Sequence, residues 1–272
     1  MKSGVSAQAS QHGTALHGET IVITRPVGTG GALARKIRAL GGVPLLLPGL
    51  SLRAAADAEA ARAQWLKAQN DDVLIFTSPA AVRYAMGLAP LATRATVIAT
   101  GQGTAAALHR IGIEAQVPRV RQDSEGLLEL PPLQQLQGRH VALITAPGGR
   151  GLLQQQLVTR GASLREVHVY RRGSPRLDRR HIDAAQHLPH TACVLLSSGE
   201  AMQNLLALLP SAASRRLREA RLVVSSDRIA EQARASGFSR VYVAASATQA
   251  DLLARACEVY SHERQEADRA GC

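Results

Sequence analysis

Residues 73–82 read VLIFTSPAAV, and the change of character inside them points to an α/β architecture. Val73–Phe76 form an uninterrupted apolar run of the length expected for a strand buried on both faces. Thr77, Ser78 and Pro79 stop that run, and a helical pattern begins at Ala80. Residues 193–202, CVLLSSGEAM, repeat the same order of strand, two hydroxyls and helix.

Short apolar runs alternate with helical patterns along most of the chain, as parallel α/β folds require. Further strands are expected at Ile21–Thr24, Val43–Leu47, Thr96–Ala99, Glu114–Val117, Val141–Ile144, Glu166–Val169, Leu222–Val224 and Arg240–Val243. Helices are expected at Gly31–Leu40, Ala80–Met86, Gly103–Ile111, Leu152–Arg160, Ala201–Leu208 and Arg228–Ala235. Gly41, Gly112, Gly161 and Gly237 stand where helices would end in a left-handed cap.

Shifted by about 120 residues, the chain matches itself in pattern. IVITRPVGTGG (21–31) falls on VALITAPGGRG (141–151), and VLIFTSPAAV falls on CVLLSSGEAM. ATVIATGQGTAAALHRIG (95–112) falls on ARLVVSSDRIAEQARASG (220–237). Three strand-to-helix junctions keep their order and spacing, the mark of a duplicated unit rather than of two generic runs in step. In open parallel sheets, ligands gather at the strands' carboxyl ends, where helix N-termini offer free N–H groups to anions. Thr77-Ser78 and Ser197-Ser198 are placed for that role; at any one junction helix capping is the better account of a hydroxyl, and only the recurrence over six junctions in an arginine-rich chain favours anion binding.

Composition narrows the partner. The 272 residues carry 32 cations against 21 acids, a net charge of +11, and all the cations but Lys2, Lys36 and Lys67 are arginine. Arginine's planar fork suits carboxylates and phosphates. Aromatic residues make up 3% of the chain, too few for a nucleic-acid stacking surface. Cys193, Cys257 and Cys272 show no paired spacing, which fits a reducing compartment and a cytoplasmic protein. Residues 1–19 read as a loose tail without the apolar centre of a signal peptide, and no run reaches the ~20 apolar residues of a membrane span.

Several chemistries find no motif. RPVGTGGALA starts a GxGxxG, but Leu33 stands where the third glycine belongs, and APGGRGLL lacks the GK[ST] of a phosphate-binding loop. The nine histidines form no HExxH or Cys/His cluster, so no metal and no other cofactor is expected. GxSxG, the mark of a nucleophile elbow, is absent too.

ITRP (23–26), PLLLP (44–48), DDVLIFTSPAAV, ATGQGTAAALHRIG and SEGLL (124–128) appear in that order. GRHVALITAPGGRGLLQQQLVTRGASLREVHVYRR and LLSSGEAM follow. This string resembles the uroporphyrinogen-III synthase family over about residues 20–256. The resemblance implies two similar three-layer, parallel-sheet, flavodoxin-like lobes joined by a two-stranded antiparallel hinge. One lobe would combine 20–42 with 174–257 and the other would be 50–165. Residues 43–49 and 166–173 would be the hinge strands, with a C-terminal tail over 258–272.

The family's substrate is hydroxymethylbilane, a linear tetrapyrrole with eight carboxylates, which the enzyme cyclises with inversion of ring D and loss of water. The resemblance assigns Tyr170 as the acid that helps the hydroxyl leave, or alternatively as an anchor of the hinge strand. For substrate binding it points to Arg25, Thr77, Ser78, Gly101, Thr104, Arg150, Ser197 and Ser198. Ser226 and Arg228 occupy a corner where many members carry a glycine and a threonine, so Arg228 would substitute an ionic contact there. The implied protein is a monomer that meets porphobilinogen deaminase transiently and binds neither nucleic acid nor membrane. A non-catalytic, two-lobed anion-binding or effector domain would show the same repeat and the same hydroxyls.

Overall fold

The structure, a computed structural model, describes residues 15–118, 124–148 and 151–270. The elements begin with β1 (Thr20–Ile23), α1 (Gly31–Ala39), β2 (Val43–Leu46), β3 (Ser51–Ala54) and α2 (Ala58–Ala68). Next come β4 (Val73–Phe76), α3 (Pro79–Leu88), β5 (Thr96–Ala99), α4 (Gln102–His109) and α5 (Ser124–Leu128). A 3₁₀ turn at Pro131–Leu133 precedes β6 (His140–Thr145), α6 (Leu152–Thr159), β7 (Ser163–His168) and β8 (Tyr170–Gly173). The chain then forms α7 (Arg179–Gln186), β9 (Cys193–Leu196), α8 (Gly199–Leu208) and α9 (Ser211–Glu219). It closes with β10 (Arg221–Val224), α10 (Asp227–Ala235), β11 (Val241–Val243) and α11 (Gln249–Ala270).

Two compact units result. The first takes the chain up to Ser51 and again from Gly173 onward, and the second is Leu52–Arg172. The first unit holds an all-parallel sheet in the order β2-β1-β9-β10-β11, the doubly wound order 2-1-3-4-5. The second holds a parallel sheet in the order β7-β6-β4-β5, extended beyond β5 by a single parallel bridge from Ile98 to Gln116. Laid side by side, the two orders match if β1 corresponds to β6, β2 to β7, β9 to β4 and β10 to β5. Three of these pairs, β1 with β6, β9 with β4 and β10 with β5, are the ones that the repeat in the sequence matches. The units therefore share one spatial order although the chain enters them at different strands, a circular permutation of one plan.

Each sheet is covered on both faces. In the first unit, Val22, Val194, Leu196, Leu222 and Val224 pack with Met202, Leu205, Leu217 and Ile229. Their alternate neighbours Ile21, Ile23, Cys193, Leu195 and Val223 pack with Leu33, Ile37, Leu252 and Tyr260 on the other side. In the second unit, Leu74, Phe76, Ala142 and Ile144 meet Trp65, Ala81 and Ala85, while Val73, Ile75, Val141 and Leu143 meet Leu127, Leu133, Leu153 and Leu157. The period of two along each strand explains the split, and a sheet buried twice explains the continuous apolar runs.

Four expectations are corrected. The segment 43–49 is not a hinge strand: Val43–Leu46 pairs parallel with β1 at the sheet edge, because the nine-residue α1 returns the chain alongside β1. Likewise 166–168 belongs to β7, parallel to β6. The expected two-stranded antiparallel sheet is present, with β8 from the end of 166–173 and β3 in place of 43–49 as its partner. The tails are shorter than expected. Leu16 is fully buried and donates its N–H to the Leu40 carbonyl, and α11 carries buried Val259 and Tyr260 well past residue 258. Glu114–Val117 contributes only the bridge at Gln116.

Candidate functional site

The second unit places its chemistry at the carboxyl ends of β4, β5 and β6. Chain order reverses between β4 and β6, and the following helices α3 and α6 pack on opposite faces of the sheet. That geometry opens a crevice above the strand ends. Thr77 stands at its floor and donates through Oγ1 to the Ile144 carbonyl at 3.2 Å, with Thr145 Oγ1 at 3.0 Å. Thr100 Oγ1 donates to the Thr77 carbonyl at 3.0 Å, tying in the next strand.

Ser78 caps α3: its Oγ accepts the Ala81 N–H at 3.0 Å, and Pro79 occupies the first helical position, where no N–H is needed. The same Oγ lies 3.1 Å from the Tyr170 hydroxyl. Tyr170 is the first residue of β8 and is 7% exposed. Its ring stacks on Tyr84 at 5.5 Å between centroids and 12° between planes, an offset-stack separation. Tyr84 commits its hydroxyl to the Leu52 carbonyl at 2.8 Å, and the Arg83 guanidinium lies 4.9 Å from its ring centroid.

Gly101, with no side chain to offer, precedes α4 and leaves its first turn without a side-chain cap. Buried Thr104 lies in that turn. Ser78 is thus spent on its own helix, whereas at α4 the Gly101 carbonyl takes the Thr104 and Ala105 N–H groups, each at 3.0 Å.

The first unit is built on the same plan. Its reversal lies between β1 and β9, with α1 and α8 on opposite faces. Thr24 spans the reversal, donating through Oγ1 to the Leu195 carbonyl at 2.7 Å. Ser198 caps α8 through the Ala201 N–H at 3.3 Å, with partly buried Ser197 just before it. Ser226 precedes α10 without a side-chain cap, and Arg228 is exposed in that helix's first turn, where Nη1 donates to Gln232 Oε1 at 3.4 Å.

Arg25 follows Thr24 and is partly buried. Its Nε is enclosed and has no hydrogen-bond partner among the described residues. Desolvation pulls its guanidinium below the ordinary value. A cation held this way calls for an anion from outside the unit.

The structure thus brings Ser78 to Tyr170 in the second unit. In the first it sets Arg25, Ser197 and Ser198 on adjacent strand ends. Arg150 lies outside the described residues. Sequence reasoning overlooked Thr24, Thr145 and Tyr84. The first two sit beside quoted motifs, but Tyr84 reaches Tyr170 only through tertiary packing. Among the described residues no three His, Cys, Asp or Glu side chains gather as a metal site.

These features define a class: a two-unit α/β protein of parallel sheets, with a phenol set beside a serine hydroxyl. A family model described as uroporphyrinogen-III synthase HemD matches residues 31–254. The uroporphyrinogen-III synthases of Salmonella typhimurium and Escherichia coli are each 32% identical to it, over 248 and 252 residues, and cover 88% of this chain and 100% of their own. A mutant uroporphyrinogen III synthase from Thermus thermophilus superposes with a TM-score of 0.58 at 20% identity, covering 91% of this chain and 99% of that one. The enzyme from Helicobacter pylori gives 0.55 at 14% identity, covering 89% and 99%. These two structures bear on the fold alone. The chain belongs to the uroporphyrinogen-III synthase family, lyases of porphyrin biosynthesis. No helix among the described residues is long and apolar enough to cross a membrane.

Proposed function

We propose that the chain converts hydroxymethylbilane to uroporphyrinogen III, with the substrate's carboxylates held by strand-end groups and Tyr170 as the proton donor. The observation that carries the reading is Arg25, a desolvated guanidinium whose Nε lacks a partner among the described residues, in a chain of net charge +11. An eight-carboxylate substrate supplies the missing anion, and a charge-assisted contact to one carboxylate suits Arg25. Gly101, Thr104, Ser197, Ser226 and Arg228 are further carboxylate contacts on this reading, as is Arg150.

In the reaction the ring A hydroxyl takes a proton from the Tyr170 phenol and leaves as water with the C–O electron pair, generating an azafulvenium cation. Ring D attacks through its substituted carbon to give a spiro intermediate, which fragments and recloses with ring D inverted. The free bilane closes in water without inversion, so holding the chain ends in register is the larger part of the task. The proton spent on the leaving hydroxyl is matched by one released when the closed macrocycle regains aromatic pyrroles. On this reading the protein works as a cytoplasmic monomer and receives its substrate from porphobilinogen deaminase.

A coupled assay tests it: porphobilinogen, porphobilinogen deaminase and this protein are incubated, and the oxidised type I and type III isomers are separated. Type III product is expected with the wild type, and a loss of at least 10-fold in its rate with Tyr170→Phe, within the range of general acid catalysis. Type I alone at every concentration of folded protein would leave a non-catalytic anion-binding domain as the better account.

A further inference from the structure

Tyr170 is buried against Tyr84, and among the described residues its hydroxyl has one hydrogen-bond neighbour, Ser78 Oγ at 3.1 Å. If Tyr170 donated to Ser78, its proton would be spent on that bond and not available to a leaving group. The hydrogen bonds of Ser78 decide which way the pair is polarised. A serine hydroxyl has one proton and two lone pairs. One lone pair is taken by the Ala81 N–H at 3.0 Å, because Ser78 is the cap of α3. An oxygen that already accepts from a helix N-terminus sits in the positive end of that helix's dipole. There it is a poorer second acceptor and a better donor, since hydrogen bonds in series polarise one another.

Resting on the synthase reading above, we infer that Ser78 is a positioning residue for the Tyr170 proton rather than a carboxylate contact. Its hydroxyl donates to Tyr170 Oη and leaves the phenol proton directed outward to the leaving hydroxyl. When that proton transfers, the Oη–H bond breaks, an O–H bond forms on the departing oxygen, and the charge left on Tyr170 receives the Ser78 O–H as a charge-assisted bond. The relay runs from the α3 N-terminus through Ser78 to Tyr170, and no other group gains or loses a proton in this step. Tyr84 holds the ring in place by stacking, and its own hydroxyl is already given to Leu52, so it cannot stand in for Tyr170.

The test separates this role from plain capping. Ser78→Gly removes the hydroxyl while keeping a residue almost as good at an N-cap, and Ser78→Thr keeps both the cap and the donor. With full-length protein in the coupled assay, Ser78→Gly is expected to lower kcat for type III product about 10- to 100-fold, the range for a hydrogen bond to a charged group. KM should change less than ~3-fold, and the melting temperature should stay within ~2 °C of wild type. Ser78→Thr is expected to restore kcat to within a few-fold.

Because Ser78 acts through Tyr170, the Tyr170→Phe/Ser78→Gly double variant should match Tyr170→Phe alone. A further loss in the double variant, or a Ser78→Gly effect confined to KM, would instead place Ser78 on the substrate and overturn the inference. Unchanged kcat in Ser78→Gly would overturn it as well, with the synthase reading intact as long as the wild type makes type III product. Absence of type III product from the wild type would bring down the reading on which the inference rests.

Discussion

Replacing Arg25 with methionine should move activity and stability in opposite directions. The guanidinium is partly buried with its Nε enclosed and unpartnered, and desolvation already works against its charge. Methionine has a similar reach, keeps the apolar stem contacts and removes the charge. An unpaired, partly buried cation costs the folded state, so its removal should be neutral to stabilising by on the order of 1 kcal/mol, kept small because the residue is only partly buried. For a unit of this size that corresponds to a rise in melting temperature of ~2–4 °C.

Catalysis should suffer in the other direction. Loss of one hydrogen bond to a charged carboxylate is worth ~1.5–3 kcal/mol, a fall in kcat/KM of about 10- to 150-fold. The assay pairs thermal unfolding of the free protein with the coupled isomer assay on the same preparation. A fall in melting temperature of several degrees with kcat/KM within two-fold of wild type would mean that Arg25 serves the fold, and the reasoning from its missing partner would be wrong.

Two further outcomes concern the frame that holds these groups. Gly49→Ala should destabilise the first unit by ~1–3 kcal/mol in urea unfolding, because an added Cβ would lie 2.6 Å from both the Ala201 carbonyl oxygen and its Cβ, with backbone unable to give way. Gly49 also passes its N–H to the Thr24 carbonyl at 3.0 Å, so crowding there should disturb the β1 end as well. Glu263 is held below its ordinary value of 4.5, chiefly by hydrogen bonds from Arg221. A depressed carboxyl contributes stability that is fully present above its unfolded value and is lost as pH falls through the folded one. The stability gap between wild type and Glu263→Gln should therefore be full at pH 7 and shrink below pH ~4.5 in a series of unfolding curves.

The regular part of the fold was legible where burial forces a simple pattern. Val73–Phe76 and Cys193–Leu196 are strands in the structure at the residues expected. A central strand covered on both faces has no position that tolerates a polar residue. Gly41 and Gly161 adopt φ of 77° and 89° just past their helices, a conformation that only glycine takes without strain. Of the β3–β8 pair, β8 lies within the expected hinge strand 166–173, but β3 was not legible, since SLRA is short and partly exposed and carries no periodic signal. Nor was the length of α11. The Arg221–Glu263 pair that fastens it joins residues 42 apart, and Arg221 also lies over the Tyr260 ring.

For the candidate site, the sequence alone determined that hydroxyls stand at strand ends before helices, because a strand-to-helix junction needs such residues in either role. It also carried the repeat. Only the tertiary structure decided which hydroxyls are spent and which groups lack a partner. Ser78 and Ser198 cap their helices, and Arg25 Nε is enclosed without a partner. Ser78 meets Tyr170 across 92 residues of chain. The physical reason is that a cap is settled within three residues by local backbone geometry. The partner of a buried phenol or guanidinium is settled by whichever distant strand the sheet order places beside it.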